Sequence, residues 1–137
     1  MMQIRELIPE DYEDILLLWK QAGFLIGKSD SEGEYVRFLR ANPRTSLGVI
    51  CDDQLSGAVL GGFDGRRGTI HHLVINEASR KLGYGKALMY ELIRRFGEMG
   101  VVKLSLWVKT DNSQVIAFYE KLGFELRRDL YTMSYDI

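Results

Sequence analysis

Arg80-Lys81-Leu82-Gly83-Tyr84-Gly85-Lys86 sets two glycines one residue apart, directly ahead of a stretch with helical periodicity. The first N–H groups of a helix lack intrahelical partners, and the macrodipole adds partial positive charge, so such a loop suits an anion and above all phosphate. Arg80 offers a planar fork for phosphate oxygens, and Lys81 and Lys86 reinforce the charge. His71 and His72 precede the loop and titrate near neutrality, where a proton acceptor is useful. Beyond the next strand come Asn112 and Tyr119, and a tyrosine keeps its proton up to a pH of about 10.

Two phosphate-binding fingerprints do not fit. A Walker A loop needs a glycine where Arg80 stands and a serine or threonine where Ala87 stands. The dinucleotide fingerprint meets Leu88 at its third glycine and expects an opening βαβ unit. By itself the loop also reads as a tight strand-to-helix turn.

The surrounding elements follow from periodicity. Met2–Leu7 alternates and suits a strand; Pro9 pre-sets a helix start, and Gly23 supplies its stop. Phe24–Ser29 reads as a loop and Ser31–Arg40 as a second helix. Ser46–Cys51, Leu55–Gly62 and Gly68–Ile75 read as an antiparallel meander, turned at Asp52-Asp53 and Asp64-Gly65. Leu88, Leu92, Phe96 and Met99 then step at helical spacing up to Gly100. Val101–Lys109 is an expected strand, Ser113–Leu122 a helix and Tyr131–Tyr135 a last strand, with one more short strand expected at Phe124–Leu126. The result is one α/β (α+β) domain over residues 1–137, a mixed, mostly antiparallel sheet flanked by about four helices.

Composition narrows the partners. With 46% apolar residues and a net charge of −1, the chain has no electrostatic footprint for nucleic acid or an anionic membrane. Cys51 is the single cysteine, so no internal disulfide or thiolate metal cluster forms, and the expected role is a small buried hydrophobe. No apolar run reaches the roughly 20 residues needed to span a bilayer, and the expectation is a cytoplasmic protein without a metal.

Arg80-x-x-Gly83-x-Gly85 after a strand ending Leu73-Val74-Ile75, followed by Asn112-x6-Tyr119-x3-Gly123-Phe124, resembles the GNAT acyl-CoA N-acetyltransferase superfamily. The element order matches along nearly the whole chain. Within it, Gly61-Gly62-Phe63-Asp64-Gly65 is similar to small bacterial YpeA-like members. The resemblance implies a GNAT-type fold and transfer of an acetyl group from acetyl-CoA to a primary amine by direct attack in a ternary complex. It implies that the backbone from Lys81 through Leu82, Gly83, Tyr84 and Gly85 to Lys86 cradles the CoA pyrophosphate, assisted by Arg80. Val74 and Ile75 would pair with the pantetheine arm, Asn112 would touch the same arm, and Tyr119 would lie near the sulfur. Glu77 stands where a proline is common, and Lys81 where a glycine is usual; neither change removes a backbone donor.

Acetyl transfer needs a base for the amine, an oxyanion donor and an acid for the departing sulfur. His71 is the favoured base, with His72, Glu77 and a water as alternatives; the Ile75 N–H is the oxyanion donor and Tyr119 the acid. Strict alternation would put His71, Leu73 and Ile75 on one face, and Ile70, His72 and Val74 on the other. Trp19, Phe24, Glu34, Tyr35 and the Asp64–Arg67 turn are candidate acceptor contacts, although Trp19 also reads as core. The acceptor is a small-molecule or peptide amine, and a homodimer is compatible with the class. The alternative reading is a non-catalytic acyl-CoA sensor on the same fold.

Overall fold

Asp52 and Asp53 turn the chain at positive φ, 51° and 63°, the geometry a two-residue hairpin requires for its twist to match the strands. They join β2 (Ser46–Cys51) to β3 (Gln54–Phe63), which returns through the Asp64–Arg67 turn to β4 (Gly68–Ile75). With β1 (Met2–Glu6) paired to β2, the first four strands are antiparallel; β5 (Leu104–Leu106) adds in parallel beside β4. The order is β1-β2-β3-β4-β5, a mixed, mostly antiparallel sheet as the sequence predicts. This computed structural model describes all 137 residues as two compact units, Met1–Trp107 and Val108–Ile137.

In the first unit, helices α1 (Tyr12–Gln21) and α2 (Glu32–Ala41) cover one face of the sheet. Ile15, Leu18, Trp19, Tyr35 and Leu39 are buried there against Ala58, Leu60 and Val74. Helix α3 (Tyr84–Glu98) covers the other face with Leu88, Met89, Leu92 and Phe96, all fully buried. A side chain at Gly61 would strike Leu92 and Phe96, so a glycine lets α3 approach closely. Each fully buried Leu or Ile here contributes about 2 kcal/mol of transfer free energy. Helix α1 ends at Gly23 in a Schellman motif: Gly23 N–H donates to the Lys20 carbonyl and Phe24 N–H to that of Trp19. That motif folds Phe24 back toward the sheet.

Strict alternation fails on β4. Ile70 pairs with Gly61 on the α3 face, while Val74 pairs with Ala58 and belongs to the core under α1 and α2. Residues an even number apart in a regular strand share a face, so one extra residue must lie between these two. The register shifts between Ala58 and Leu60, and His72 takes a left-handed φ of 52°. This bulge corrects the expected faces: His71, His72 and Val74 lie on the side of α1 and α2, and Ile70 and Ile75 toward α3.

Two other expectations change. The strand at Val101–Lys109 shortens to β5, because it pairs only with Gly68–Ile70 before the bulge turns β4 away. In the second unit, helix α4 (Ser113–Lys121) forms as expected, but Phe124–Leu126 and Tyr131–Tyr135 form no strand. The alternating Tyr131, Met133 and Tyr135 are almost fully exposed, so their pattern has no sheet face to cover.

Candidate active site

Between β4 and α3, Asn76 Oδ1 accepts the Ala78 N–H and starts a 3-10 turn over Glu77–Ser79. Lys81 (φ 66°) and Gly83 (φ 83°) then adopt left-handed conformations, which turn successive N–H groups to one side. From Lys81 to Lys86 no backbone N–H has a hydrogen-bond partner; the first engaged is that of Ala87, on the Gly83 carbonyl. These consecutive donors open α3, and Arg80, Lys81 and Lys86 are all exposed beside them. The arrangement suits an anion.

The edge of β4 that faces β5 is open beyond Ile70. Asn76 N–H donates to Ser56 on β3, so by alternation the N–H and C=O of Ile75 point the other way, into that opening. Arg80 Nε donates to the Ile75 carbonyl at 3.2 Å, which ties the loop to the strand and leaves both Nη groups free. The Ile75 N–H remains available on the open edge.

At the head of that opening sits His71. Its imidazole stacks on Trp107, with 15° between planes, and meets the edge of Phe38. Neither ring nitrogen has a hydrogen-bond partner among protein groups. Burial pushes its pKa below the ordinary histidine value, the neighbouring His72 lowers it further, and Asp30 partly offsets both. The neutral form of His71, with a lone pair to offer, is thereby favoured.

His72 is occupied differently. Its Nε2 lies 2.9 Å from Asp30 Oδ1, and its ring stacks on Phe24 and meets Trp19 edge-on. Asp30 is buried; its Oδ2 accepts the Gly27 N–H, and its carbonyl accepts the Tyr12 hydroxyl. A left-handed residue with a Cβ costs about 1–2 kcal/mol, which this pairing offsets. Sequence reasoning missed Asp30, because a carboxylate 42 positions away in an unpatterned loop carries no local signal.

The proposed acceptor contacts divide. Trp19 and Tyr35 are core residues, 1% and 2% exposed, and the Tyr35 hydroxyl donates to the Ile8 carbonyl. Phe24 is half-buried against His72, and Glu34 is exposed. Asp64 Oδ1 accepts the N–H groups of Arg66 and Arg67, a self-contained turn. Glu77 is exposed in the 3-10 turn. Cys51, expected as a buried hydrophobe, is only partly covered, and its Sγ lies 3.3 Å from the Tyr84 hydroxyl at the start of α3. A thiol still carries a weak hydrogen-bonding group, and the tyrosine satisfies it.

The second unit, taken by itself, holds Asn112 and Tyr119. Asn112 caps α4, its Oδ1 accepting the Val115 N–H, which leaves its amide NH2 unengaged. Tyr119 is buried between Phe118 and Phe124, and burial pushes its hydroxyl pKa up to about 12.

The acetyltransferase (GNAT) family profile matches residues 2–124. The chain belongs to the GNAT acetyltransferase family. An acetyltransferase of Yersinia pseudotuberculosis is 34% identical over 124 residues, covering 90% of this chain and 88% of its own. Ard1 from Thermoplasma volcanium shares the fold with a TM-score of 0.84 at 24% identity, over 92% of this chain and 84% of its own. PaiA N-acetyltransferase from Thermoplasma acidophilum, solved in complex with coenzyme A, matches with a TM-score of 0.81 at 21% identity, over 93% of this chain and 91% of its own. As a GNAT member the chain is an acyltransferase. No helix is long and apolar enough to cross a membrane.

Proposed function

We propose that the protein transfers the acetyl group of acetyl-CoA to a primary amine of a small molecule or peptide, by direct attack in a ternary complex. The observation that carries this reading is the run of unpartnered N–H groups from Lys81 to Lys86, tied through Arg80 to an open β4 edge. The loop, with Arg80, receives the pyrophosphate, as it does in the GNAT pattern the sequence matches. Ile75 offers the open-edge groups with which the pantetheine arm pairs, Val74 being turned to Ala58 on β3, and the Asn112 amide contacts the same arm.

His71 takes the proton from the attacking amine, whose nitrogen forms the new bond to the thioester carbonyl carbon. The Ile75 N–H donates to the carbonyl oxygen as charge develops there, a contribution of about 3 kcal/mol for a well-aimed donor. The carbon–sulfur bond then breaks, and Tyr119 gives its proton to the sulfur. A pKa of about 12 keeps Tyr119 protonated at neutral pH.

The test pairs thermal-shift measurements using acetyl-CoA, CoA, ATP and NAD with a CoA-release assay over a panel of amines. Stabilisation by acetyl-CoA together with release on at least one amine is expected. Stabilisation by ATP or NAD and not by CoA overturns the reading, and CoA binding without release on any amine favours an acyl-CoA sensor.

A further inference from the structure

Burial of Ile70 and Val74 on opposite faces requires one extra residue between them, but it does not say where. The ladder pairs His71 with Leu60 and leaves Val59 opposite both His72 and Leu73, so the surplus lies at one of these two. The left-handed φ falls at His72, the residue whose ring reaches a buried carboxylate. We propose that Asp30 is a positioning residue: its hydrogen bond to His72 fixes the β4 bulge at that position and thereby presents the His71 ring between Phe38 and Trp107.

The proposal rests on the role given to His71 under the proposed function. Asp30 is suited to the task because all three of its acceptor oxygens are engaged: Oδ1 by His72, Oδ2 by the Gly27 N–H and the carbonyl by Tyr12. It therefore acts as a rigid post. The walls around the His72 ring are Trp19 and Phe24, and the titratable groups facing it are Asp30 and the adjacent His71. A bulge that slips toward His71 breaks its pairing with Leu60 and re-aims the ring but leaves Val74 and Ile75 in place. Proton transfer should then suffer while donor binding is spared.

Asp30→Ala, Asp30→Asn, His72→Ala, His72→Gly and the Asp30→Ala/His72→Gly double variant test this. Glycine adopts the left-handed conformation without any anchor, whereas alanine does not. In Asp30→Ala and His72→Ala, kcat should fall by about tenfold or more, as small misplacements of reacting groups do, with the acetyl-CoA KM little changed. His72→Gly should retain most of the activity that the alanine variants lose. Asp30→Asn keeps an oxygen for His72 but sets an amide N–H against that of Gly27, and should fall between. Asp30→Ala should add nothing in the His72→Gly background. Substrate-free NMR titration of the His71 ring gives a separate reading. Its pKa should be higher in His72→Ala than in His72→Gly, two variants that lack the same neighbour. In Asp30→Ala it should rise toward the ordinary value although the loss of Asp30 by itself acts downward. The proposal is overturned if Asp30→Ala leaves the titration and rate unaltered, or if His72→Gly is as impaired as His72→Ala. If Asp30→Ala does not fold, the contrast between His72→Ala and His72→Gly decides. Failure of the wild-type protein to turn over any amine would remove the acetyltransferase reading, and the ring titration would still decide the positioning role.

Discussion

The Trp107 indole and the His71 imidazole lie nearly parallel, 15° apart with 5.9 Å between centroids. This stacking strips water from one face of the histidine and is part of the burial that holds its pKa down.

The acidic limb of kcat/KM should therefore fall at a pH below the ordinary histidine range, since His71 acts only when neutral. Trp107→Ala should move that limb upward, and His71→Gln should cut kcat by about a hundredfold. A pH–rate profile unchanged in both variants would remove His71 as the base.

Tyr119→Phe keeps the aromatic packing with Phe118 and Phe124 and deletes only the hydroxyl. Turnover should drop by about a hundredfold, with acetyl-CoA affinity and melting temperature nearly constant. Steady-state kinetics beside calorimetric CoA binding checks this, and a normal kcat would exclude Tyr119 as the acid.

Gly83→Ala meets no steric obstacle, since nothing lies within 4 Å of the added Cβ. Its cost is conformational: at φ 83° an alanine is strained by about 1–2 kcal/mol. The acetyl-CoA KM should rise by about tenfold for a cost near 1.4 kcal/mol, with the amine KM unaltered. Equal rises in both constants would mean that the loop does not serve the donor alone.

Arg5 donates two hydrogen bonds to the buried Asp11, at 2.8 and 2.9 Å, and the Ile8 N–H donates a third. Burial alone would raise the Asp11 pKa, but Arg5 and the Ile8 N–H outweigh it, and the net shift is downward. The unfolded chain then takes up this proton at a higher pH than the folded one. The stability it contributes is complete above the unfolded carboxylate value of about 3.9 and is lost as pH falls through the folded value. Asp11→Asn should cost about 1.5–3 kcal/mol at pH 7, the range for hydrogen bonds to charged groups, and should flatten the acid limb of a urea-denaturation series.

The helices and the meander were legible because their signals are local: Leu88, Leu92 and Phe96 mark one face of α3, and Asp52-Asp53 marks a turn. The glycine turn that opens α3 was legible for the same reason. The bulge was not, since the stretch from Ile70 to Val74 reads as ordinary alternation until two different cores claim its ends. The Asp30–His72 pairing was hidden by sequence distance. The missing strand at Tyr131–Tyr135 shows the opposite failure, a pattern without a sheet face to bury it.

The contact between Cys51 and Tyr84 has a practical side. As the chain's single thiol, partly open and in contact with the Tyr84 side chain of the glycine loop, Cys51 is an endogenous reporter group. A thiol-reactive dye should label it more slowly once a ligand fills the loop, giving an occupancy readout without mutation. The same thiol adds a protein-derived background to any colorimetric count of liberated CoA, and Cys51→Ser provides the blank.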